Sequence, residues 1–280
     1  MNTDCAFYIG TTHDICQDYA LSGNNIISIT DGCSGSILSD IGSRILGVTA
    51  MNKISLLKSL NNLDEKEIVL LARPSIKILN IPSESLDSTL LCAVKTENLV
   101  EVVCYGDGAI GIIMKNKDIF IVEIEYTDNY PFYINYLYDS NGRYENWKQD
   151  HNKRKVKISL IKTDGTIEII DSNCNTSSNL GIGNIKVNDY KIFVEILSTE
   201  VDSVVIMSDG VQSFYKSITS GTSKHNEKIE SHTVIKELLD FKNYTGKFVQ
   251  RRMNKFIKTC SINGWNHADD MSIASIHLGE

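Results

Sequence analysis

The chain has 280 residues and a mass of 31.3 kDa, with 42% hydrophobic residues and a formal net charge of −7. This composition is typical of a globular protein with a substantial core, and the acidic charge argues against binding to nucleic acid or an anionic membrane. No apolar run approaches the roughly 20 residues that span a bilayer, the N-terminus lacks a signal-peptide pattern, and seven cysteines without paired spacing favour a reducing compartment, so we expect a cytoplasmic protein.

The N-terminal part of the chain combines short apolar runs with one long helical pattern. Ile41, Ile45 and Val48 recur at i, i+4 and i+7, which predicts a helix over residues 39–60. A second helix, or a helix-to-strand transition, is predicted over residues 84–96. Strands are predicted at residues 5–10, 19–22, 26–31, 99–108, 109–115 and 118–125.

Residues 126–155 interrupt this order with six tyrosines, many polar side chains and no clean period. One interpretation is an irregular excursion from the sheets, a flap. The alternative is an ordinary long loop that contains a short helix.

The C-terminal part returns to strands and adds two helices. Val249, Met253, Phe256 and Cys260 form an apolar stripe that predicts a helix packed on the core. No Gly/Ser/Pro-rich linker divides the chain, so we expect a single domain over residues 1–280 in which helical layers enclose two sheets. The predicted strands are 156–162, 166–171, 191–197, 203–208 and 271–278, and the predicted helices are 232–241 and 247–260.

Three Asp-Gly pairs follow apolar runs, and they differ in what comes next. Asp164-Gly165 lies between two short isoleucine-rich runs, which predicts a β-hairpin turn. Asp31-Gly32 ends "IISITDG" and leads through a small-residue loop into a helix, and Asp209-Gly210 ends "VVIMSDG". An aspartate at such a strand end projects into a loop region, where functional groups tend to lie.

A third strand end also carries acids, since Asp269 and Asp270 directly precede the last predicted strand. Carboxylates that converge without basic partners repel one another unless a cation neutralises them. The nearest basic residues in sequence, Arg44 and Lys216, cannot pair with all three strand ends. Oxygen ligands without Cys/His spacing favour Mg²⁺ or Mn²⁺. Separate helix caps and turns are the alternative.

Seven short motifs in register give the chain a family resemblance over essentially its whole length. The motifs are "CQD" (16–18), "ITDGCSGS" (29–36), "SDIGSRI" (39–45), "STLLCAV" (88–94), "CYGDGAIGII" (104–113), "VVIMSDGV" (204–211) and "HADDMSIASI" (267–276). With these motifs the chain resembles the bacterial branch of the PP2C-type (PPM) metal-dependent protein serine/threonine phosphatases.

The resemblance implies an α+β fold, a four-layer α-β-β-α sandwich of two mainly antiparallel sheets with two Mn²⁺ or Mg²⁺ ions at one end. Asp31 matches the aspartate that bridges both ions, and Gly32 matches the glycine whose carbonyl is a ligand. Asp209 and Asp269 match acids that hold the first ion. Asp107 matches an aspartate that helps to hold a third, looser ion in some members.

The remaining matched positions include departures from the family pattern. Asp18 matches an acid that supports the site, and Asp270 beside Asp269 is expected to do the same. Gln17 stands where a Glu usually contacts the second ion through water. His13 stands where many members have a phosphate-binding arginine, which implies a role in binding phosphate; the alternative is a solvated loop histidine without such a role.

Cys33 occupies the position at which animal members have a histidine that is taken as the leaving-group acid. Neither Cys33 nor Cys16 has an arginine at Cys-x5-Arg spacing, so a packing role is favoured over a nucleophilic one.

The function that the resemblance implies is hydrolysis of phosphoserine or phosphothreonine by direct attack of a metal-bridging water or hydroxide. The partner would be a phosphorylated protein, the target of a serine/threonine kinase. Because Gln17, His13 and Cys33 depart from the pattern, a pseudophosphatase that binds a phosphorylated partner stays open as an alternative. A phosphatase of a small phosphorylated metabolite is the third hypothesis.

Overall fold

The computed structural model describes residues 1–138, 142–150, 154–172, 174, 178–220 and 223–279. The helices are α1 (Ser39–Leu57), α2 (Glu65–Leu79), α3 (Arg143–Asp150), α4 (Ser231–Leu238) and α5 (Phe248–Asn263). The strands are β1 (Asn2–Tyr8), β2 (Asp18–Gly23), β3 (Ile26–Asp31), β4 (Leu90–Lys95), β5 (Leu99–Tyr105), β6 (Gly108–Met114), β7 (Ile119–Tyr126), β8 (Arg154–Ile161), β9 (Ile167–Asp171), β10 (Ser178–Asn179), β11 (Gly183–Val187), β12 (Lys191–Leu197), β13 (Val201–Met207), β14 (Phe214–Ser220), β15 (Ser223–Lys228), β16 (Trp265–His267) and β17 (Met271–His277).

Two seven-stranded sheets form the centre of the fold. The first has the strand order β1-β17-β13-β6-β7-β8-β9, and the second has the order β10-β11-β12-β5-β4-β3-β2. A small third sheet has the order β15-β14-β16. Neighbouring strands pair antiparallel, as in the β2–β3 and β13–β17 ladders.

Helices cover the outer face of each large sheet. Helix α1 packs on β2, β3 and β4 of the second sheet, and α2 packs on α1. Helix α5 packs on β1 and β17 of the first sheet, with α4 beside it. The inner faces of the two sheets meet where β17 contacts β2 and β3. The predicted four-layer α-β-β-α sandwich is therefore confirmed.

Strand β13 shows why the run "VVIM" is continuously apolar. Val204 and Ile206 join the core between the sheets, whereas Val205 and Met207 join the core under α4 and α5. Successive side chains of a strand point to opposite faces, so a strand covered on both faces needs an apolar residue at every position.

The two long predicted helices are present, but the face that α1 buries differs from the prediction. Val48 is exposed, and the buried residues of the helix include Gly42, Leu46, Gly47 and Ala50, of which Gly47 packs on Thr30 of β3. Small side chains let the helix approach the sheet closely, and a search for large apolar residues overlooks such a face. The predicted stripe of α5, from Val249 to Cys260, is buried as expected.

Of the two alternatives for residues 84–96, the continuous helix is wrong and the helix-to-strand transition is closer to the structure. A single 3-10 turn occupies Ser83–Leu86, and strand β4 follows it. A short apolar run buried on all sides has no period that separates a strand from a helix. Helix α2 was not predicted, and its interior Pro74 is a residue that normally argues against a helix. The short strands β10, β11 and β14 to β16 were not predicted either.

The segment 126–155 folds back onto the body of the protein in its described parts. It contains a 3-10 turn at Ile134–Tyr138 and helix α3. Phe132, which is fully buried, contacts the rings of Trp147 and Tyr190 at 5.0 Å between ring centroids. Residues 139–141 and 151–153 of the segment lie outside the described residues, and the single domain over residues 1–280 stays a prediction. No helix in the described ranges is long and apolar enough to cross a membrane.

Candidate active site

Strand β3 ends at one end of the sandwich, where it places Asp31 and Gly32. The Asp31 amide donates to Thr89 Oγ1 at 3.2 Å, and the Thr89 amide donates to the Asp31 carbonyl at 2.9 Å. A Cβ on Gly32 would lie 2.7 Å from the Ser39 carbonyl oxygen, which is too close for any side chain. Close packing of the start of α1 against this turn thus requires the glycine.

Asp209 and Asp107 lie at the same end of the sandwich, each just after another strand. Asp209 follows β13 and opens a 3-10 turn, in which a Cβ on Gly210 would lie 1.8 Å from the Asp270 carbonyl oxygen. Asp107 connects β5 to β6 between Gly106 and Gly108, whose φ angles are 95° and 132°. Both glycines therefore adopt a backbone conformation that other residues rarely take.

Asp270 fixes the loop that carries His13 and Gln17. Its carboxylate accepts hydrogen bonds from the Gly10 amide at 2.7 Å and from the Gln17 amide at 2.6 Å, and it is buried. The Gln17 side chain donates to Ser39 Oγ at 2.9 Å. Asp270 is thus a structural support that joins the segment before β17 to the N-terminal loop.

The predicted metal ligands converge on one cleft. Asp31, Gly32, Asp107, Asp209 and Asp269 line it. No lysine or arginine is found among the described residues that line it, so its charge is acidic. The other lining residues are Gln17, Cys33, Ser34, Thr89, Asn129, Pro131 and Tyr133.

The pKa values of these carboxyl groups are raised, and burial is the main cause. Burial, followed by the charges of Asp18 and Asp209, raises the pKa of Asp31 well above its usual range. Burial and the charge of Asp269 raise the pKa of Asp209 to about 6. Burial, followed by the charge of Asp209, raises the pKa of Asp107 well above its usual range. The acids therefore lie where negative charge is poorly stabilised by the protein itself.

Asp18 lies behind the cleft and is fully buried. Its carboxylate accepts a hydrogen bond from Ser208 Oγ at 2.6 Å, while its Oδ1 has no hydrogen-bond partner. Burial raises the pKa of Asp18 to about 7. The Oδ1 atom of Asp209 is likewise buried without a partner. A buried carboxylate oxygen without a hydrogen-bond donor lowers the stability of the fold unless a cation binds to it.

These residues fit a hard divalent cation by their donor type and charge. Within the described ranges, no three His, Cys, Asp or Glu side chains already surround a single point as metal ligands would. Mg²⁺ does not require such a group, because it keeps several waters and is held through one or two carboxylates. The unpartnered Asp209 oxygen and the accumulated negative charge are the features that favour an ion here.

His13 lies beside the acids and is not among the residues that line the cleft. Its Nδ1 is 3.0 Å from Asp270 Oδ2, and its Nε2 is 3.7 Å from Asp269 Oδ1. Burial alone would lower the pKa of His13, but the hydrogen bond to Asp270 and the neighbouring acids raise it above the usual value. The role of His13 as a phosphate ligand stays a prediction.

Asp164 provides the contrast that the sequence suggested. It lies in the turn between β8 and β9, where its Oδ1 accepts a hydrogen bond from the Thr166 amide at 2.8 Å. Gly165 has a φ of 90°, and the hydrogen bonds to Thr166 lower the pKa of Asp164. The predicted hairpin is confirmed, and this aspartate shapes a turn.

Sequence reasoning did not single out several residues of the cleft wall. Thr89 holds the main chain of Asp31, and Asn129 and Tyr133 reach the cleft from the 126–155 segment. Thr89 lies within the motif "STLLCAV", so its position was available from the sequence. For Asn129 and Tyr133 the tyrosine-rich composition of the segment was the only signal, and it does not show which residue faces the site.

An acid-lined cleft at one end of an α-β-β-α sandwich is the arrangement that the resemblance to the PP2C-type phosphatases implies. The profile of the protein phosphatase 2C family matches residues 11–258, and the chain belongs to that family. No curated protein compared with the chain is a match.

Solved structures of bacterial phosphatases share the fold. A bacterial serine phosphatase superposes with a TM-score of 0.54 at 12% identity, covering 100% of this chain and 98% of its own. The serine/threonine phosphatase Stp1 from Staphylococcus aureus gives 0.54 at 12%, covering 100% and 96%. The Mycobacterium tuberculosis serine/threonine phosphatase PstP/Ppp gives 0.51 at 12%, covering 99% and 98%. At this identity the likeness shows the fold alone.

Proposed function

We propose that this protein is a metal-dependent phosphatase that hydrolyses phosphoserine and phosphothreonine in protein substrates. The observation that carries the proposal is the cleft in which Asp31, Asp107, Asp209 and Asp269 meet without a lysine or arginine among its described lining residues. Phosphate is an anion, and an acidic cleft can bind it only if cations lie between the two. Membership of the protein phosphatase 2C family supports the same reading.

In this proposal the chain holds Mn²⁺ or Mg²⁺ through named groups. Asp31 would hold both ions and the Gly32 carbonyl would be a further ligand, while Asp209 and Asp269 would hold the first ion and Asp107 would contribute to a third. When bound, such ions lower the pKa of water and neutralise charge on a phosphoryl group, so that in-line hydrolysis needs no covalent enzyme intermediate.

The surrounding residues keep these groups in place. Ser208 orients Asp18 behind Asp31, and Asp270 holds the Gln17 main chain at the cleft. Gln17 contributes an amide instead of a further negative charge. The Thr89 hydroxyl and amide fix the Asp31 main chain on both sides, so that its carboxylate keeps one position.

The size of the cleft favours a protein substrate over a metabolite. The cleft encloses about 120 Å³. Pockets that engulf a whole small molecule usually have about 300–1,000 Å³. A cleft of this size accepts a phosphoryl group and the end of a side chain, while the rest of the substrate stays on the surface. The substrate would then be a phosphorylated protein, produced by a serine/threonine kinase.

The second candidate function is phosphoprotein binding without turnover. Gln17 and Cys33 favour it, because both line the cleft and neither supplies the charge or the acid that the family pattern has there. Turnover separates this candidate from the first, since a pseudophosphatase binds its phosphorylated partner without releasing phosphate.

Turnover by the purified protein tests the proposal. We expect hydrolysis of a phosphothreonine peptide in millimolar Mn²⁺ or Mg²⁺, with no activity in excess chelator and slower turnover of a panel of phosphorylated metabolites. Metal-loaded protein that binds the phosphopeptide without releasing phosphate would favour the pseudophosphatase. Faster turnover of one metabolite than of every peptide would favour the metabolite phosphatase.

A further inference from the structure

Tyr133 brings a hydroxyl group into the cleft wall from a segment that the proposed chemistry does not use. It directly precedes the 3-10 turn at Ile134–Tyr138 and lines the cleft together with Asp31 and Asp107. The residue is 8% exposed, and its hydroxyl lies within hydrogen-bonding reach of the Cys33 side chain. A polar group buried at the wall of a charged cleft is a candidate for ligand contact.

The described lining of the cleft offers an anion neutral hydrogen-bond donors instead of cationic ones. The described lining residues include no lysine or arginine, and the His13 ring nitrogens face Asp269 and Asp270. The Gln17 side-chain amide donates one N–H to Ser39 Oγ, and Thr89 Oγ1 accepts from the Asp31 amide, so Gln17 and Thr89 are neutral donors of the lining together with Ser34 and Asn129. Tyr133 is the largest side chain in the wall that ends in a hydroxyl.

The phenol is held as a fixed, protonated donor. Burial, followed by the neighbouring Cys33, Asp107 and Asp31 groups, raises the pKa of Tyr133 well above its usual value, so the hydroxyl keeps its proton at neutral pH. The ring packs edge-on against Tyr136, with 5.4 Å between centroids. A donor that is already oriented loses little entropy when a ligand arrives.

We propose that the Tyr133 hydroxyl contacts the substrate and donates a hydrogen bond to an oxygen of the bound phosphomonoester. This neutral donor supplies, from the 126–155 segment, a phosphate contact that no cationic side chain provides in the described cleft wall. The stretch 129–133, which also carries the lining residues Asn129 and Pro131, is then part of the substrate site. The inference rests on the proposed function, because it assigns a residue to that same site.

The test is removal of the hydroxyl alone. In Tyr133→Phe the ring and its packing stay, and Tyr136→Phe is the matched control, because it makes the same change in the same turn at a residue outside the cleft lining. With Mn²⁺-loaded protein, calorimetry measures the Kd of inorganic phosphate, and p-nitrophenyl phosphate gives kcat/KM. We expect Tyr133→Phe to weaken phosphate binding and to lower kcat/KM, each by about tenfold. Tyr136→Phe should leave both unchanged.

Two results would overturn the inference. One is a Tyr133→Phe protein whose phosphate Kd equals that of the wild type. The other is a Cys33→Ala protein with the same loss as Tyr133→Phe and no further loss in the double variant, because the hydroxyl would then act only by orienting Cys33. Absence of turnover in the wild type would contradict the proposed function instead, and the phosphate Kd comparison would still decide the role of Tyr133.

Discussion

Asp18 and Asp31 lie directly opposite each other on the antiparallel strands β2 and β3. Like charges at opposed positions of a ladder destabilise a sheet, and here Asp18 is fully buried. Burial, followed for Asp31 by the charges of the neighbouring acids, raises both pKa values. The fold thus maintains a repulsive pair that a bound cation would relieve.

The first prediction concerns pH. The pKa of Asp18 is raised to about 7 and that of Asp209 to about 6. Between the unfolded-state value of about 3.9 and these values, the folded protein binds more protons than the unfolded chain. The metal-free protein should therefore lose stability as the pH rises from about 4 to about 7.

Denaturant unfolding in chelator across this range measures the effect. Saturating Mg²⁺ should restore stability mainly at the upper end, because the ion binds deprotonated carboxylates. A metal-free stability that increases from pH 5 to pH 7 would contradict the account.

The second prediction is that Asp18→Asn stabilises the metal-free protein. The substitution removes a buried charge opposite Asp31 but keeps a side chain that can bond to Ser208 Oγ. We expect a higher denaturation midpoint at pH 8 in chelator and a flatter pH dependence than the wild type shows. Metal affinity should fall, because the second negative charge behind Asp31 is lost. An unchanged pH dependence would show that Asp18 does not titrate in this range.

The third prediction uses two glycines of one loop. A Cβ at Gly32 would lie 2.7 Å from the Ser39 carbonyl oxygen, whereas at Gly35 the nearest atom would be Cys33 Sγ at 3.7 Å. Gly32→Ala should cost about 1–3 kcal/mol in unfolding free energy. Because the Gly32 carbonyl is a proposed metal ligand, the substitution should also weaken Mn²⁺ binding at least about tenfold, which corresponds to about 1.4 kcal/mol of lost interaction. Gly35→Ala should stay within about 0.5 kcal/mol of the wild type. Equal losses in both variants, by denaturant unfolding and metal titration, would argue against a special role of Gly32.

The fourth prediction concerns an ion pair that attaches α3 to the active-site end of the fold. Arg143 Nη1 lies 2.7 Å from the buried carboxylate of Asp87, whose carbonyl accepts the Cys33 amide. Arg143→Ala leaves this carboxylate with weaker partners and should cost about 1–3 kcal/mol. Faster cleavage of the 126–155 segment in limited proteolysis should accompany the loss.

Lys148→Ala is the matched control, because it removes the exposed pair with Asp189 from the same helix. Exposed pairs contribute little, so neither stability nor proteolysis should change measurably. Equal proteolysis of both variants would contradict the proposed attachment.

The positions of the acids at the ends of the buried strands could be predicted from the sequence. Asp31, Asp209 and Asp269 each adjoin a strand that is buried at nearly every position and consists mostly of apolar and small residues, because both faces of β3, β13 and β17 are covered. Such runs are visible in the sequence, and so are the acids that adjoin them.

Features that depend on contacts between distant segments could not be predicted in this way. The acids meet because β13 pairs with β6 and β17, and no local pattern specifies those partners. The close approach of α1 depends on Gly42 and Gly47, which carry no hydrophobic signal. Tyr133 is one of six tyrosines in its segment, and only tertiary packing selects it for the cleft wall.

Comparison of Asp31 with Asp164 tests the central claim most directly. Both aspartates precede a glycine, and asparagine tolerates turn geometry, so Asp→Asn changes charge with little effect on the backbone. Calorimetric titration with Mn²⁺ should show two ions per chain for the wild type and for Asp164→Asn, with wild-type turnover of a phosphothreonine peptide in both. Asp31→Asn should remain folded but lose the shared ion site and the turnover. An Asp31→Asn protein that binds Mn²⁺ and turns over the peptide as the wild type does would contradict the account.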